Sequence, residues 1–180
     1  MTASPGCLVV IPRPEPGEYA PAFQRYVERV PDRPLLEELA RQGRETVATL
    51  GALPAEKARY RYAPDKWSVT QVAGHVSDCE RVFAHRLLWF ARGDATPLPG
   101  FEEDAWMKAA PWDRRELPDV LAELAAVRQA TLALLGSLDA AAFARTGTAN
   151  GVPATVRALA HIIAGHELHH RAVLRERYGI

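Results

Sequence analysis

The chain is short of cysteine, of net charge and of long apolar runs, and each shortage excludes something. Two cysteines in 180 residues, Cys7 and Cys79, make no disulfide framework and point to a reducing compartment. The 22 basic and 22 acidic residues cancel, so the sequence carries no electrostatic footprint for nucleic acid. No apolar stretch approaches the ~20 residues that a membrane span needs. The apolar run Cys7–Ile11 has no basic residue before it and meets Pro12, Pro14, Pro16 and Pro21 after it, unlike a signal peptide. The expectation is a cytoplasmic protein with neither membrane nor nucleic acid as partner. No region supports a convincing set of strands.

What is present is proline at one end and helical periodicity after it. Seven of the 14 prolines, at 5, 12, 14, 16, 21, 31 and 34, fall in residues 1–34. With φ fixed and amide donors missing, that stretch reads as an extended arm lying along the domain or a partner subunit. Residues 35–180 read as one domain, large enough to bury a core without staples. Leu35, Leu36, Leu39, Val47 and Leu50 mark a first amphipathic helix ending near Gly51. Ser68, with Gln71 three residues on, begins a second that runs through Val72, His75, Cys79, Phe83 and Leu87 to Gly93. A third starts near Pro118. Residues 145–154 are turn chemistry, possible as a small hairpin, and Thr155 caps a fourth helix ending at Tyr178-Gly179. The fold class is all-α, a four-helix bundle. The connection at residues 93–117 exceeds the ~2–8 residues usual in bundles, which makes helices 2 and 3 parallel and helix 4 antiparallel to helix 2.

Four of the six histidines lie in the last 20 residues, at 161, 166, 169 and 170. On a wheel turning ~100° per residue, His166 and His170 straddle the centre of the apolar stripe of helix 4. His169 falls at the flank and His161 points away. On helix 2, His75 lies within the stripe and His85 at its edge. In antiparallel helices the levels of His75 and of His166/His170 meet, so three imidazoles converge on one point with a position left open, as in catalytic zinc sites. Cys79, one turn after His75, is either an extra ligand or a small buried apolar residue. Asp78, Glu167 and His169 are candidates for moving a proton, with solvated helix-flank charges as the plain alternative for the two acids. Arg86, on the inward stripe of helix 2, is the candidate for holding an anionic substrate or cofactor. Trp67 and Trp106 are candidates for the mouth of the site.

His166-Glu167-Leu168-His169-His170 also fits the H-E-x-x-H pattern of zinc metalloproteases. Few residues follow it, Val173 stands where one protease class needs a glycine, and no strand-rich region exists to bind a peptide.

Tyr62-Ala63-Pro64-Asp65-Lys66-Trp67-Ser68-Val69, Gly74-His75-Val76-Ser77-Asp78, Leu98-Pro99-Gly100-Phe101 and Gly165-His166-Glu167-Leu168-His169-His170-Arg171 occur in that order over residues 34–180. In them the chain resembles the DinB/YfiT-like superfamily. The resemblance implies a bundle of up-down-down-up topology, often dimeric, and a divalent metal, zinc or nickel. Its ligands map to His75, His166 and His170. It also implies thiol-dependent chemistry in some branches, with bacillithiol or another low-molecular-weight thiol as cofactor. The leading expectation is therefore a homodimeric enzyme acting on a small-molecule substrate. Its metal activates a thiol or water, most readily for S-transferase-type detoxification or stress response. The alternatives are a metal-dependent hydrolase and a non-catalytic protein stabilised by its metal.

Overall fold

Pro21 ends the extended part of the proline-rich segment, its fixed φ suiting the first position of a helical turn. A computed structural model describes residues 10–180, and Cys7 lies outside the described residues. Within the predicted arm, a 3-10 turn at Pro21–Phe23 leads into the short helix α1 (Gln24–Val27). Ile11, Tyr26, Val27 and Val30 are buried in the main apolar core. The Arg13 guanidinium bonds the carbonyls of Val27 and Val30, and Glu18 accepts from Thr155 and Arg157. The segment is thus extended only in part, and it packs on the domain.

Two of the long helices begin at side-chain caps and two beside prolines. α2 (Leu35–Gly51) follows Pro34, and the single turn α3 (Ala55–Ala58) lies in the connector after it. α4 (Val69–Ala91) starts with a complete capping box: Gln71 N–H donates to Ser68 Oγ at 3.2 Å, and Ser68 N–H to Gln71 Oε1 at 2.9 Å. Such a cap contributes about 1 kcal/mol. The long connection holds α5 (Glu103–Ala109) and a 3-10 turn at Trp112–Arg114, and α6 (Leu117–Gly136) begins with proline in its first turn. After α7 (Ala140–Phe143), strands β1 (Thr146–Ala149) and β2 (Val152–Thr155) form an antiparallel hairpin. Asn150 and Gly151 turn it, both at positive φ, the conformation a two-residue hairpin loop requires. α8 (Val156–Tyr178) is capped by Thr155 and stops at Gly179 in the left-handed region.

Contacts along the helices give the directions. Gln42 and Thr46 of α2 meet Ala164 and Glu167 of α8 in rising order, so α2 and α8 are parallel. The starts of α4 (Val69, Val72) and α6 (Val120, Leu121) share one apolar cluster and their later parts (Leu87, Phe90 and Leu135) share the other, so α4 and α6 are parallel too. Phe83 packs on His166 while the earlier His75 reaches His170, which sets α4 antiparallel to α8. The bundle is up-down-down-up, with the α4–α6 crossover that the long connection predicts.

His161 departs from expectation. The wheel points it away from the stripe, yet it is buried, its Nδ1 2.9 Å from the Arg157 carbonyl oxygen. The N-terminal segment covers that face: Ile11, Arg13 and Leu36 line one cavity with His161. Burial drives its pKa down to about 4. His85 is exposed, beside Trp89.

A buried ion network crosses the bundle. Arg128 is bidentate to Glu80 at 2.8 and 2.7 Å, bonds the Leu39 carbonyl at 2.7 Å and meets Glu167 at 2.8 Å. Gln42 and Thr46 donate to the same Glu167 carboxylate. Arg128→Met strands two facing carboxylates, so urea unfolding should show a loss of about 3–5 kcal/mol. A loss under about 1 kcal/mol would mean the network is not held as described.

Glu18 gives a second expectation. The Arg157 guanidinium bonded to it holds its pKa at about 2, below the ordinary 4.5. A depressed carboxylate stabilises the fold above its unfolded pKa and loses that effect as pH falls through the folded one. The stability gap between wild type and Glu18→Gln should be full above about pH 4.5 and close as pH approaches about 2. A gap independent of pH would contradict the pairing.

Candidate metal centre

Two apolar clusters fill the bundle, and the histidines sit at the seam between them. On α4, Val69, Val72 and Ala73 belong to one cluster and Cys79, Phe83 and Leu87 to the other. On α8, Leu159 to Ala164 belong to one, and Leu174 and Tyr178 to the other. His75 falls in the gap of the first helix, and His166 and His170 in the gap of the second.

The three rings meet there. Ring centroids are 5.1 Å apart for His75–His166, 4.8 Å for His75–His170 and 4.5 Å for His166–His170. The Nε2 atoms of His166 and His170 are 3.2 Å apart. Two nitrogens at ~2.0–2.1 Å from one tetrahedral cation lie about 3.3 Å apart, so this pair already has the separation of two ligands. Cys79 Sγ lies 3.6 and 3.7 Å from the two ring nitrogens of His75, and a zinc holding sulfur at ~2.3 Å would put S and N about 3.6 Å apart. Donor atoms of His75, Cys79 and His166 all lie within 4.8 Å of one another. Two overlapping donor sets therefore share His75 and His166, one completed by His170 and the other by Cys79. The His166–His170 and His75–Cys79 separations both suit a tetrahedral cation. Cys79 lies on the α4 side of the same cluster.

Electrostatics suit metal binding, which needs neutral imidazole. Burial, then the neighbouring imidazoles, hold His166 and His170 well below the ordinary histidine value, and burial brings His75 down to about 4. Burial pushes the Cys79 thiol up to about 12. A cation would reverse that, since a coordinating thiol loses its proton. Aromatic rings wall the cluster: Trp67 at 4.7 Å from His75, and Tyr26 edge-on to His166 and His169 at 5.4 Å each. Gly165 lets α1 lie directly on α8 here, because a Cβ would collide with the Tyr26 carbonyl. Glu103 Oε2 stands 4.0 Å from His75 Nε2. A cavity of about 290 Å3 opens beside the cluster, lined in part by Tyr26, Cys79, Arg86, Glu103 and His166.

The other residues singled out from the sequence scatter. Glu167 is neither a solvated flank charge nor at the cluster, because its carboxylate is turned to α2 and α6 and engaged by Gln42, Thr46 and Arg128. This also removes the base that an H-E-x-x-H protease would need. Asp78 is half-buried, faces Arg81 at 3.4 Å and lines a separate cavity of about 390 Å3, its pKa raised by burial. His169 is half-buried at 5.1 Å from the His170 ring, with its buried Nδ1 unpartnered. Arg86 is buried on the wall shared by both cavities, and the Trp106 ring lies tilted against Phe101 at 4.7 Å. Tyr26 and Glu103 are absent from the sequence-based set. Tyr26 carries a signal only as an apolar pair with Val27 between prolines, and Glu103 only as a carboxylate in the first turn of a short helix.

Comparison with known proteins agrees with this architecture. No curated protein matches the chain. Among solved structures it is similar to YfiT from Bacillus subtilis, described as "a probable metal-dependent hydrolase with an unusual four-helix bundle topology". The TM-score is 0.72 at 20% identity, over 93% of this chain and 94% of that one. The sequence pattern of the DinB superfamily matches residues 38–174, which include all three clustered histidines and Cys79. The chain belongs to the DinB superfamily.

Proposed function

We propose that the protein is a metal-dependent enzyme in which His75, His166 and His170 hold a divalent cation, zinc or nickel. The observation that carries this is the 3.2 Å separation of the imidazole nitrogens of buried His166 and half-buried His170, with a third ring 4.8 Å from that of His170. A divalent metal bound there supplies a Lewis acid that lowers the pKa of water or a thiol towards neutrality.

The remaining roles fall to the chain's own groups. Trp67, Tyr26 and Phe83 exclude bulk water from the cluster and fix the planes of the rings. Glu103, with its exposed carboxylate at the rim, takes the proton from the nucleophile and passes it to solvent. Arg128 keeps Glu167 away from the cluster, so the three imidazoles are the cation's uncharged ligands. Hydrolysis of a small electrophile is the first reading, supported by the likeness to YfiT. Thiol transfer is the second. A cavity of about 290 Å3 exceeds the ~30 Å3 share of one water and has room for an organic co-reactant such as a low-molecular-weight thiol.

Elemental analysis of protein purified without a histidine tag should find close to one divalent metal per chain. His75→Ala, His166→Ala and His170→Ala should each abolish it, and Cys79→Ser should retain it. Metal surviving His170→Ala but lost from Cys79→Ser would move the ligand set to His75, Cys79 and His166. Metal-free wild type would refute the site.

Turnover of activated esters and epoxides, assayed with and without added thiol, separates the two readings. Hydrolysis proceeds without thiol, whereas transfer requires it and gives a thioether or thioester product. In either case Glu103→Gln should lower kcat while leaving metal content unchanged. No turnover with either nucleophile, together with a large fall in Tm on chelation, would assign the metal to stability alone.

A further inference from the structure

Two buried arginines in the bundle have opposite surroundings. Arg128 is met by two carboxylates, as a buried guanidinium normally must be. Arg86 is only 7% exposed, yet among the described residues it has no carboxylate within ion-pair distance. Among the described residues its one hydrogen bond runs from Nη2 to the Pro99 carbonyl oxygen at 2.9 Å. The rings of Phe83 and Phe101 lie 6.0 and 5.8 Å from its guanidinium carbon. Cation–π contact of that kind offsets only part of the lost hydration. Burial accordingly lowers its pKa, opposed by the Cys79 thiol and by no carboxylate.

The position of this unpaired cation matters as much as its burial. Arg86 and Phe101 are the two residues common to the cavity beside the histidines and the neighbouring cavity of about 390 Å3. The first cavity contains Cys79 and His166. The second is walled by Val82, Leu98, Pro99, Phe101 and Trp106, and Trp106 is 45% exposed although it is among the largest apolar side chains. The other cation on that wall, Arg81, is already paired with Asp78 and Glu123. Arg86 therefore offers the free donors where the two spaces adjoin.

We propose that Arg86 is the carboxylate anchor of a substrate cleft running from the histidine cluster into the apolar chamber. The substrate is then a small organic acid carrying an apolar or aromatic group. A carboxylate supplies the fork-shaped partner that a guanidinium binds bidentately and that the protein withholds. The chamber takes the apolar group against Trp106 and Phe101, and the reacting bond is directed to the cluster. The inference rests on the metal-centre reading only for that last point.

The test is a matched pair of probes, phenylacetate and its neutral isostere phenylacetamide. Binding is followed by tryptophan fluorescence and by calorimetry on the purified protein, before and after chelation of its metal. The acid should bind at least about tenfold more tightly than the amide. Arg86→Gln should erase that ratio and leave the weak amide binding in place. Trp106→Leu should weaken both ligands together. The wild-type ratio needs no variant, so the inference stays testable if Arg86→Gln fails to fold. Equal binding of acid and amide, no binding of either, or a ratio untouched by Arg86→Gln overturns it. Preference for the acid that vanishes on chelation also overturns it, since the metal would then be the anchor. Preference that survives chelation supports it whether or not the metal proves catalytic.

Discussion

One guanidinium sets the register on which the candidate site depends. Arg128 of α6 holds Glu80 of α4 and Glu167 of α8, while the same Glu167 accepts from Gln42 and Thr46 of α2. All four long helices are thereby tied at one level. Glu167 is adjacent to His166, and a step of ~100° on a helix turns neighbouring side chains to different faces. Fixing Glu167 towards α2 and α6 therefore fixes His166 towards α4. Glu80 does the same for α4, lying five residues beyond His75. The network contributes less to net stability than its many bonds suggest, because burying charge is costly. Its effect is to make one rotation of each helix far better than the others.

This explains why so much of the site is legible in periodicity. An apolar stripe tells which face of a helix is inside, and His75, His166 and His170 stand in their stripes. Caps at Ser68 and Thr155 and the stop at Gly179 are local chemistry, readable without knowledge of neighbours. The long connection at residues 93–117 gives the parallel pair through chain length alone. What periodicity does not carry is which element covers a face that lacks a stripe. His161 lies off the stripe of α8 and is buried because the N-terminal segment packs there. Tyr26 joins the cluster by the same packing. Proline content reports the backbone freedom of that segment and says nothing of where its few apolar side chains dock.

Glu167 shows a different limit. Its sequence context, between His166 and His169-His170, fits a metal-site acid, and its wheel position fits a flank charge. Neither view sees that α2 and α6 present Gln42, Thr46 and Arg128 to the same point. A buried carboxylate is recognised only through its partners, and these lie 121 and 125 residues away in sequence for Thr46 and Gln42. The H-E-x-x-H pattern is consequently coincidental in its acid, although two of its histidines belong to the cluster.

Charge then links the centre to its ligand. The network of Glu80, Glu167 and Arg128 leaves one negative charge in the bundle, well bonded and facing away from the cavities. On the cavity side stand neutral imidazoles and the unpaired Arg86, with the exposed Glu103 at the rim. A divalent cation held by neutral ligands would make that side more positive still, because imidazole cancels none of its charge. Low polarity around the cluster strengthens each of these interactions relative to water. In the proposed cleft an anionic group between Arg86 and the cluster would relieve both cations at once, whereas a cationic ligand would meet the carboxylates of Glu102 and Glu103 towards the rim. Burial keeps the histidines deprotonated, and in the proposed cleft the same enclosure would favour an anionic group beside Arg86.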